Sequence, residues 1–282
     1  MDQIRLGLIG DNISESWAPA LHRLAASQLN IELSYDLIIP SRQGLGFEEC
    51  LTHVRHLGLS GVNVTLPFKQ RAFEQAKIED NATRNLGAVN TLRFISSGII
   101  GYNTDYSGFK KAYIMERGTD LPGVVAVIGA GGVGRAIAFA LLELGASQLR
   151  IVDKNDKQAA LLCNQLNSLS TGRACVSSIG QLQGCDAVIN CTPAGMSGYG
   201  GLPLPEDNFP DSCRWVFDAV YTPVDTPFSA LAKSRGAKFI SGFELFFFQG
   251  IDAFHLFTGR QVRDEQALRQ ALISSNRMET NK

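Results

Sequence analysis

Val124-Val125-Ala126-Val127-Ile128-Gly129-Ala130-Gly131-Gly132-Val133-Gly134 is the stretch of this 282-residue chain that decides its fold. Five consecutive apolar residues read as a strand buried on both faces. Glycines follow at GxGxxG spacing, then a helical run over 133–144 and a second short strand over 149–152. That is a complete βαβ unit. In such a unit Gly129 permits the tight turn, Gly131 lets the backbone approach a pyrophosphate, and Gly134 allows close contact between helix and strand. Ala130, Gly132 and Val133 complete the loop. Its N–H groups and the positive end of the following helix are suited to an anion. The second half of this dinucleotide fingerprint is Asp153, about 20 residues past the loop at the end of the next strand. A carboxylate there accepts hydrogen bonds from ribose hydroxyls and repels a 2′-phosphate, which favours NAD over NADP. The neighbouring Lys154 and Lys157 leave tolerance of that phosphate open.

Outward from this unit, β-rich runs alternate with helical patterns, the signature of a mainly parallel sheet covered by helices. The chain is expected to be α/β. In the first third, residues 5–9, 33–39 and 61–65 read as strands, with helices over 19–28 and 47–57 between them. Two further strands, 90–94 and 98–103, flank Ser96-Ser97-Gly98. A helix begins near Asp105, whose side chain is suited to cap it. Composition changes at Leu121-Pro122-Gly123. Beyond the βαβ unit, 187–191, 215–218 and 238–240 supply more candidate parallel strands, and 244–257 and 264–274 read as helices before a polar tail. The expected divisions are 1–104, 105–240 and 241–282.

Composition removes whole classes of function. Lys and Arg total 26 against 27 Asp and Glu, and the cations are scattered, so no basic stripe points to nucleic acid. No apolar run approaches the ~20 residues that cross a bilayer, and the first residues lack a signal-peptide pattern. A cytoplasmic protein without a membrane partner is the expectation. The six cysteines form no CxxC pair and read as reduced, mostly buried thiols. The four histidines show no metal-ligand spacing, so no metal is expected.

Three polar segments lie upstream. Gly61-Val62-Asn63-Val64-Thr65-Leu66-Pro67-Phe68-Lys69 is a strand entering a proline-stiffened turn that ends in lysine. Asn63 and Thr65, two apart, share one strand face. The segments 87–91 and 101–105 place Asn and Asp at strand ends, where loops carry function. Together NVTLPFK (63–69), GAVNTL (87–92), GYNTD (101–105), GAGGVG (129–134), NCTPAGM (190–196) and the late Gln249 closely resemble the shikimate/quinate dehydrogenase family, in that family's order and over essentially the whole chain.

The resemblance implies two domains: an N-terminal substrate domain completed by C-terminal helices, and a Rossmann domain. It implies NAD-linked oxidation of a ring hydroxyl of shikimate or quinate to the ketone, with a small-molecule substrate and a monomeric or homodimeric chain. Lys69 and Asp105 match the catalytic pair. Ser16, Asn63, Thr65, Asn90, Tyr221 and Gln249 match substrate-contacting positions, as do Lys69 and Asp105 themselves. Thr192, Ala219 and Gly242 fall where the family touches the nicotinamide half of the cofactor. The chemistry suits these residue types: a lysine bonded to the hydroxyl assists proton transfer, and in the reverse direction its ammonium polarises the carbonyl oxygen. Which of Lys69 and Asp105 holds the proton is open.

One segment departs from the family. Its two serines before a proline and histidine bind the substrate carboxylate. Counting back from Pro19 and His22 puts Ser16 at the first position and Ala18 at the second, with Ser14 as an alternative donor. A lost hydrogen bond to a charged group costs about 1.5–3 kcal/mol. With Asp153, this points to an NAD-using relative acting on shikimate, quinate or another ring acid such as aminoshikimate. A regulatory NAD-binding relative without catalysis is the further alternative, although pure binding does not require Lys69 and Asp105.

Overall fold

The computed structural model describes residues 3–279, and these divide into two compact units: residues up to Thr104 with those from Gln249 onward, and Asp105–Phe248. In the first unit the strands are β1 (Ile4–Ile9), β2 (Leu33–Ile38), β3 (Gly61–Val64), β4 (Lys77–Ile78), β5 (Thr91–Ile95) and β6 (Gly98–Tyr102). They form one sheet in the order β2-β1-β3-β5-β6-β4. β1 runs parallel to both β2 and β3, whereas β5 is antiparallel to β3 and β6. The helices α1 (Ala18–Ser27), α2 (Pro40–Gln43), α3 (Phe47–His56), α4 (Lys69–Glu74) and α5 (Asn81–Leu86) connect them.

The core of this unit follows from spacing. Phe47, Cys50, Leu51 and Val54 fall on one face of α3 and pack against Val62, Val64 and Leu92. The Glu49 carboxylate accepts the Gly46 N–H at 2.8 Å, which starts α3. Asp80 starts α5 by accepting the Thr83 N–H at 2.7 Å, and Gly87 ends it in the left-handed region at φ 63°.

The second unit holds β7 (Val124–Ile128), β8 (Gln148–Val152), β9 (Ala174–Val176), β10 (Ala187–Asn190), β11 (Trp215–Asp218) and β12 (Lys238–Ser241). All pair in parallel, in the order β12-β11-β10-β7-β8-β9. This is the doubly wound arrangement, with the direction of winding reversing between β7 and β10. Its helices are α6 (Thr104–Arg117), α7 (Gly132–Glu143), α8 (Asp156–Leu169), α9 (Pro227–Ser234) and the start of α10 (Gly242–Thr258); α11 (Glu265–Glu279) follows. Ala126, Val188, Val216, Phe228 and Leu231 belong to one core cluster.

Two expectations change. The sequence divisions place the second boundary after 240, whereas Gly242–Phe248 is counted with the second unit. A Cβ on Gly242 would meet the Asp218 carbonyl oxygen at 2.5 Å, and Phe246 stacks on Tyr221 at 4.7 Å, so the first turns of α10 are tied to the end of β11. Asp105 lies inside the first turn of α6 rather than at its cap, since the helix begins at Thr104. A carboxylate in that turn still faces the positive helix end. From Gln249 on, the chain packs on the first unit: a Cβ on Gly250 would meet the Leu21 side chain at 2.7 Å, and Phe257 lies against Gly61.

Candidate active site

In the first unit, β1, β2 and β3 are parallel neighbours, so their carboxyl ends share one edge of the sheet. The chain winds from β1 to β2 on one side and then to β3 on the other, which makes that edge a switch point of the kind where open α/β sheets bind ligands. The segments leaving it are sewn together. Thr65 N–H donates to the Ile9 carbonyl at 2.9 Å, Asp11 N–H to Leu66 at 3.2 Å and Gly10 N–H to Ile38 at 3.2 Å. Gly10 has to be glycine here, because a Cβ would overlap the Thr65 methyl group. Thr65 is partly exposed, as is Ser16.

Asn63, Asn90 and Gln249 come together in one polar cluster. The Tyr35 hydroxyl donates to Asn63 Oδ1 at 2.8 Å, and Asn63 Nδ2 donates to Thr91 Oγ1 at 3.0 Å. Asn90 Oδ1 accepts from the Thr104 N–H at 2.8 Å, and its Nδ2 reaches Gln249 Oε1 at 3.4 Å. Asn63, Asn90, Thr91 and Thr104 are all buried, and burial is tolerable only because each is hydrogen-bonded. Both ends of the Asn63 amide are thus engaged by the protein itself. Lys69 is the first residue of α4, just past a cis Leu66–Pro67 bond, and its carbonyl accepts the Val89 N–H at 3.0 Å. The residue is only 6% exposed, which separates it from an ordinary surface lysine.

Ser14 and Ser16 lie on the β1–α1 connection. Ser16 Oγ accepts the Ala18 N–H at 3.3 Å, and Ser14 Oγ accepts from Arg42 Nη2 at 3.1 Å. Ala18 is the first residue of α1 and is buried, so its methyl offers no donor.

In the second unit, β7 runs directly into the glycine loop. Gly129 takes φ 104°, and its N–H donates to Val152 at 2.7 Å. A Cβ on Gly134 would overlap the Gly129 carbonyl oxygen, whereas one on Gly131 would meet nothing within 4 Å. Gly134 therefore serves helix packing, and Gly131 keeps an open approach to the amino end of α7, where Gly132 is buried and Val133 partly exposed. That is the cradle a pyrophosphate requires. Asp153 reaches back over this loop: its Oδ2 accepts the Ala130 N–H at 2.7 Å and its Oδ1 the Asn155 N–H at 2.8 Å. Ala130 thus serves the loop through Asp153. Lys154 is exposed.

Thr192 and Ala219 hang on a network absent from the sequence reading. Asn190 Oδ1 accepts from both Thr192 Oγ1 (2.7 Å) and Thr192 N (3.0 Å), and Asn190 Nδ2 donates to Asp218 Oδ1 at 2.9 Å. The Thr226 hydroxyl donates to Asp218 Oδ2 at 2.7 Å, and Ala219 N–H donates to the Asn190 carbonyl at 2.8 Å. Burial pushes the Asp218 carboxyl above its ordinary range, while these hydrogen bonds oppose the shift. The available signal was a polar residue closing two apolar strands, 187–190 and 215–218; in the sheet Asn190 and Asp218 are register partners. Tyr35, Thr91 and Thr104 were missed for the same reason, since their partners lie on other strands. Asp105 is buried, and Tyr221 is partly exposed. Among the described residues no group of three or more His, Cys, Asp or Glu is placed to hold a metal ion, and no helix is long and apolar enough to cross a membrane.

Known proteins share both units. Residues 8–92 match the family model for the shikimate dehydrogenase substrate binding domain. Shikimate dehydrogenase (NADP(+)) of Streptomyces avermitilis is 36% identical over 272 residues, covering 92% of each chain. Quinate/shikimate dehydrogenase (NAD(+)) of Corynebacterium efficiens is 34% identical over 291 residues, covering 97% of this chain and 99% of that one. Quinate dehydrogenase from Corynebacterium glutamicum, solved in complex with NAD, superposes with a TM-score of 0.87 at 30% identity, covering 97% of this chain and all of that one. Shikimate 5-dehydrogenase from Thermus thermophilus, solved with NADP(H) and shikimate, gives 0.82 at 29% identity, covering 96% and 99%. The likeness to these relatives runs through both units of this chain, covering 92–97% of it. The chain belongs to the shikimate dehydrogenase family and is an NAD(P)-dependent oxidoreductase.

Proposed function

We propose that this chain is an NAD-preferring dehydrogenase interconverting the ring hydroxyl of quinate or shikimate and the 3-dehydro ketone. The observation that carries the cofactor choice is Asp153, whose carboxylate ends β8 and is held over the glycine loop by the Ala130 N–H. At that position a carboxylate accepts bonds from the adenosine ribose and opposes a 2′-phosphate. The relatives include both NAD and NADP enzymes, so this residue, rather than family membership, supports the preference.

With its pyrophosphate held by the glycine loop, the dinucleotide would supply the hydride acceptor, and the protein's task is the proton. In the oxidation direction the hydroxyl proton passes to the pair Lys69 and Asp105 and then to solvent. In reduction Lys69 donates a hydrogen bond to the ketone oxygen and delivers the proton, with Asp105 orienting it. Asn90 and Gln249, already joined, hold ring hydroxyls; Thr65, Ser16, Tyr221 and the Asn63 cluster frame the remainder. Thr192, Ala219 and Gly242 support the nicotinamide side, while Lys154 lies beside the adenosine end.

Steady-state oxidation of quinate and shikimate with each cofactor tests this reading. kcat/KM with NAD is expected to exceed that with NADP by at least about tenfold, the equivalent of ~1.4 kcal/mol. Lys69→Ala is expected to lower kcat by about 10²–10⁴-fold. Equal or better efficiency with NADP overturns the cofactor assignment, and near-wild-type turnover of Lys69→Ala overturns the catalytic one.

A further inference from the structure

We propose that Arg42 determines specificity for the substrate's carboxylate, supplying the cation that binds this group beside Ser14 and Ser16. This rests on the reading of the chain as a ring-acid dehydrogenase and goes beyond it, because the family's serine pair is incomplete here.

Three observations converge. The first is position. The connections leaving β1, β2 and β3 meet at one sheet edge, and they are cross-linked there by the Gly10, Asp11 and Thr65 backbone hydrogen bonds. Arg42, on α2 after β2, spans this edge to reach Ser14 on the β1 connection.

The second is unused donor capacity. Ser14 Oγ and Ser16 Oγ each accept a hydrogen bond, from Arg42 Nη2 and from the Ala18 N–H. Among the described residues neither hydroxyl donates one, and the Arg42 guanidinium makes that single hydrogen bond and no ion pair. A guanidinium has five N–H donors in a planar fork that matches a carboxylate. Two hydroxyl protons on the β1 connection and most of a fork joined to it from α2 are therefore uncommitted, while Ala18, at the position expected to hold the second hydroxyl, contributes only a buried methyl.

The third is charge. The connection Gly10-Asp11-Asn12-Ile13-Ser14-Glu15-Ser16-Trp17 carries two carboxylates and no Lys or Arg. Serine hydroxyls alone would have to hold an anionic ligand against those two charges. Arg42, hydrogen-bonded to Ser14 Oγ, sets a cation against those two charges beside the hydroxyl. Its N–H groups make charge-assisted hydrogen bonds, which are stronger than those of a neutral hydroxyl.

The test compares a ring acid with its neutral ester. Binding of quinate, shikimate and shikimate methyl ester to the full-length protein is measured by titration calorimetry, alongside steady-state KM and kcat, for wild type, Arg42→Gln and Arg42→Lys. Arg42 is exposed and makes one side-chain hydrogen bond, so these variants are expected to fold, and the melting temperature checks this. Arg42→Gln is expected to weaken acid binding and raise acid KM by roughly ten- to a hundredfold. The ester's values should move far less, and kcat less than KM. Arg42→Lys, keeping the charge but not the fork, should fall between. Equal effects on acid and ester, or none on either, overturn the proposal, as does a wild type that binds neither acid. A wild type that binds the acids selectively through Arg42 but oxidises none overturns the dehydrogenase reading alone.

Discussion

His22 is stacked on Tyr35, ring centroids 4.6 Å apart, with Phe254 and Phe257 at 6.2 and 6.0 Å. It is 1% exposed, and its Nδ1 has no hydrogen-bond partner among the described residues. Burial lowers its pKa from 6.5 to about 3, against a smaller opposing effect of its hydrogen bond with Asn63. The consequence for stability has a definite sign. Between about pH 3 and 6.5 the unfolded chain binds a proton at this histidine that the folded chain does not, so stability rises with pH across that window and is lost on acidification. Going from pH 7 to pH 5, this residue alone is expected to remove about 2 kcal/mol. Urea unfolding at the two pH values, compared between wild type and His22→Gln, measures it. The variant should be less acid-sensitive by about that amount, and an unchanged difference would rule out a neutral buried His22. Nothing in the sequence marked this ring as buried: His22 served only, with Pro19, as a fixed point for placing Ser16 and Ala18, and its burial is set by Tyr35 and by helix α10.

At the scale of elements, the glycine loop separates two uses of the same residue type. A Cβ on Gly134 would overlap the Gly129 carbonyl oxygen, which is backbone and cannot step aside, whereas a Cβ on Gly131 enters open space. Gly134→Ala is therefore expected to destabilise the second unit by about 1–3 kcal/mol. Gly131→Ala should fold within about 0.5 kcal/mol of wild type and weaken NAD binding instead, since the added methyl occupies the approach to the α7 amino end. Thermal melts with and without NAD distinguish the two; an equal loss of stability in both variants would contradict this division. The loop was legible because all its determinants are local: an apolar strand, a turn and a helix within 124–144. Asp153 was legible for the same reason. Long periodic elements such as α3 and β7 were also read within a residue or two. The two-residue β4, the edge strand β9 and the short α5 were not. Such elements are specified by the strand or loop they pair with rather than by their own pattern. The same limit applied inside the site: Asn63 with Tyr35, and Asn190 with Asp218, are joined across strands.

At the scale of the molecule, the second unit is one continuous segment inserted between the two parts of the first, and each unit has its own apolar cluster. Unfolding of the continuous unit would convert it into a loop within the first, and loop-closure entropy grows only slowly with length. Ligand stabilisation should therefore be resolvable by unit. The chain's two tryptophans divide between them: Trp17 lies in the first and Trp215 in the second. Trp215 is 1% exposed, meets Tyr113 edge-on at 5.2 Å and donates from Nε1 to the Pro122 carbonyl at 3.2 Å. Its emission will change sharply when the second unit opens. In Trp17→Phe, Trp215 is the sole tryptophan and reports that unit alone; Trp215→Phe leaves Trp17 to report the other. NAD at a hundred times its Kd is expected to add about 2.7 kcal/mol to the unfolding free energy read from Trp215. The glycine loop, Asp153 and the Asn190–Asp218 network all reside in that unit, so the Trp17 transition should move by a smaller amount. A ring acid added without cofactor should reverse the order, because Arg42, Ser16, Asn90 and Gln249 reside in the first unit. Larger stabilisation of the Trp17 signal by NAD would contradict placing the cofactor cradle at Gly129–Gly134, since a ligand stabilises most the unit whose folded state it binds.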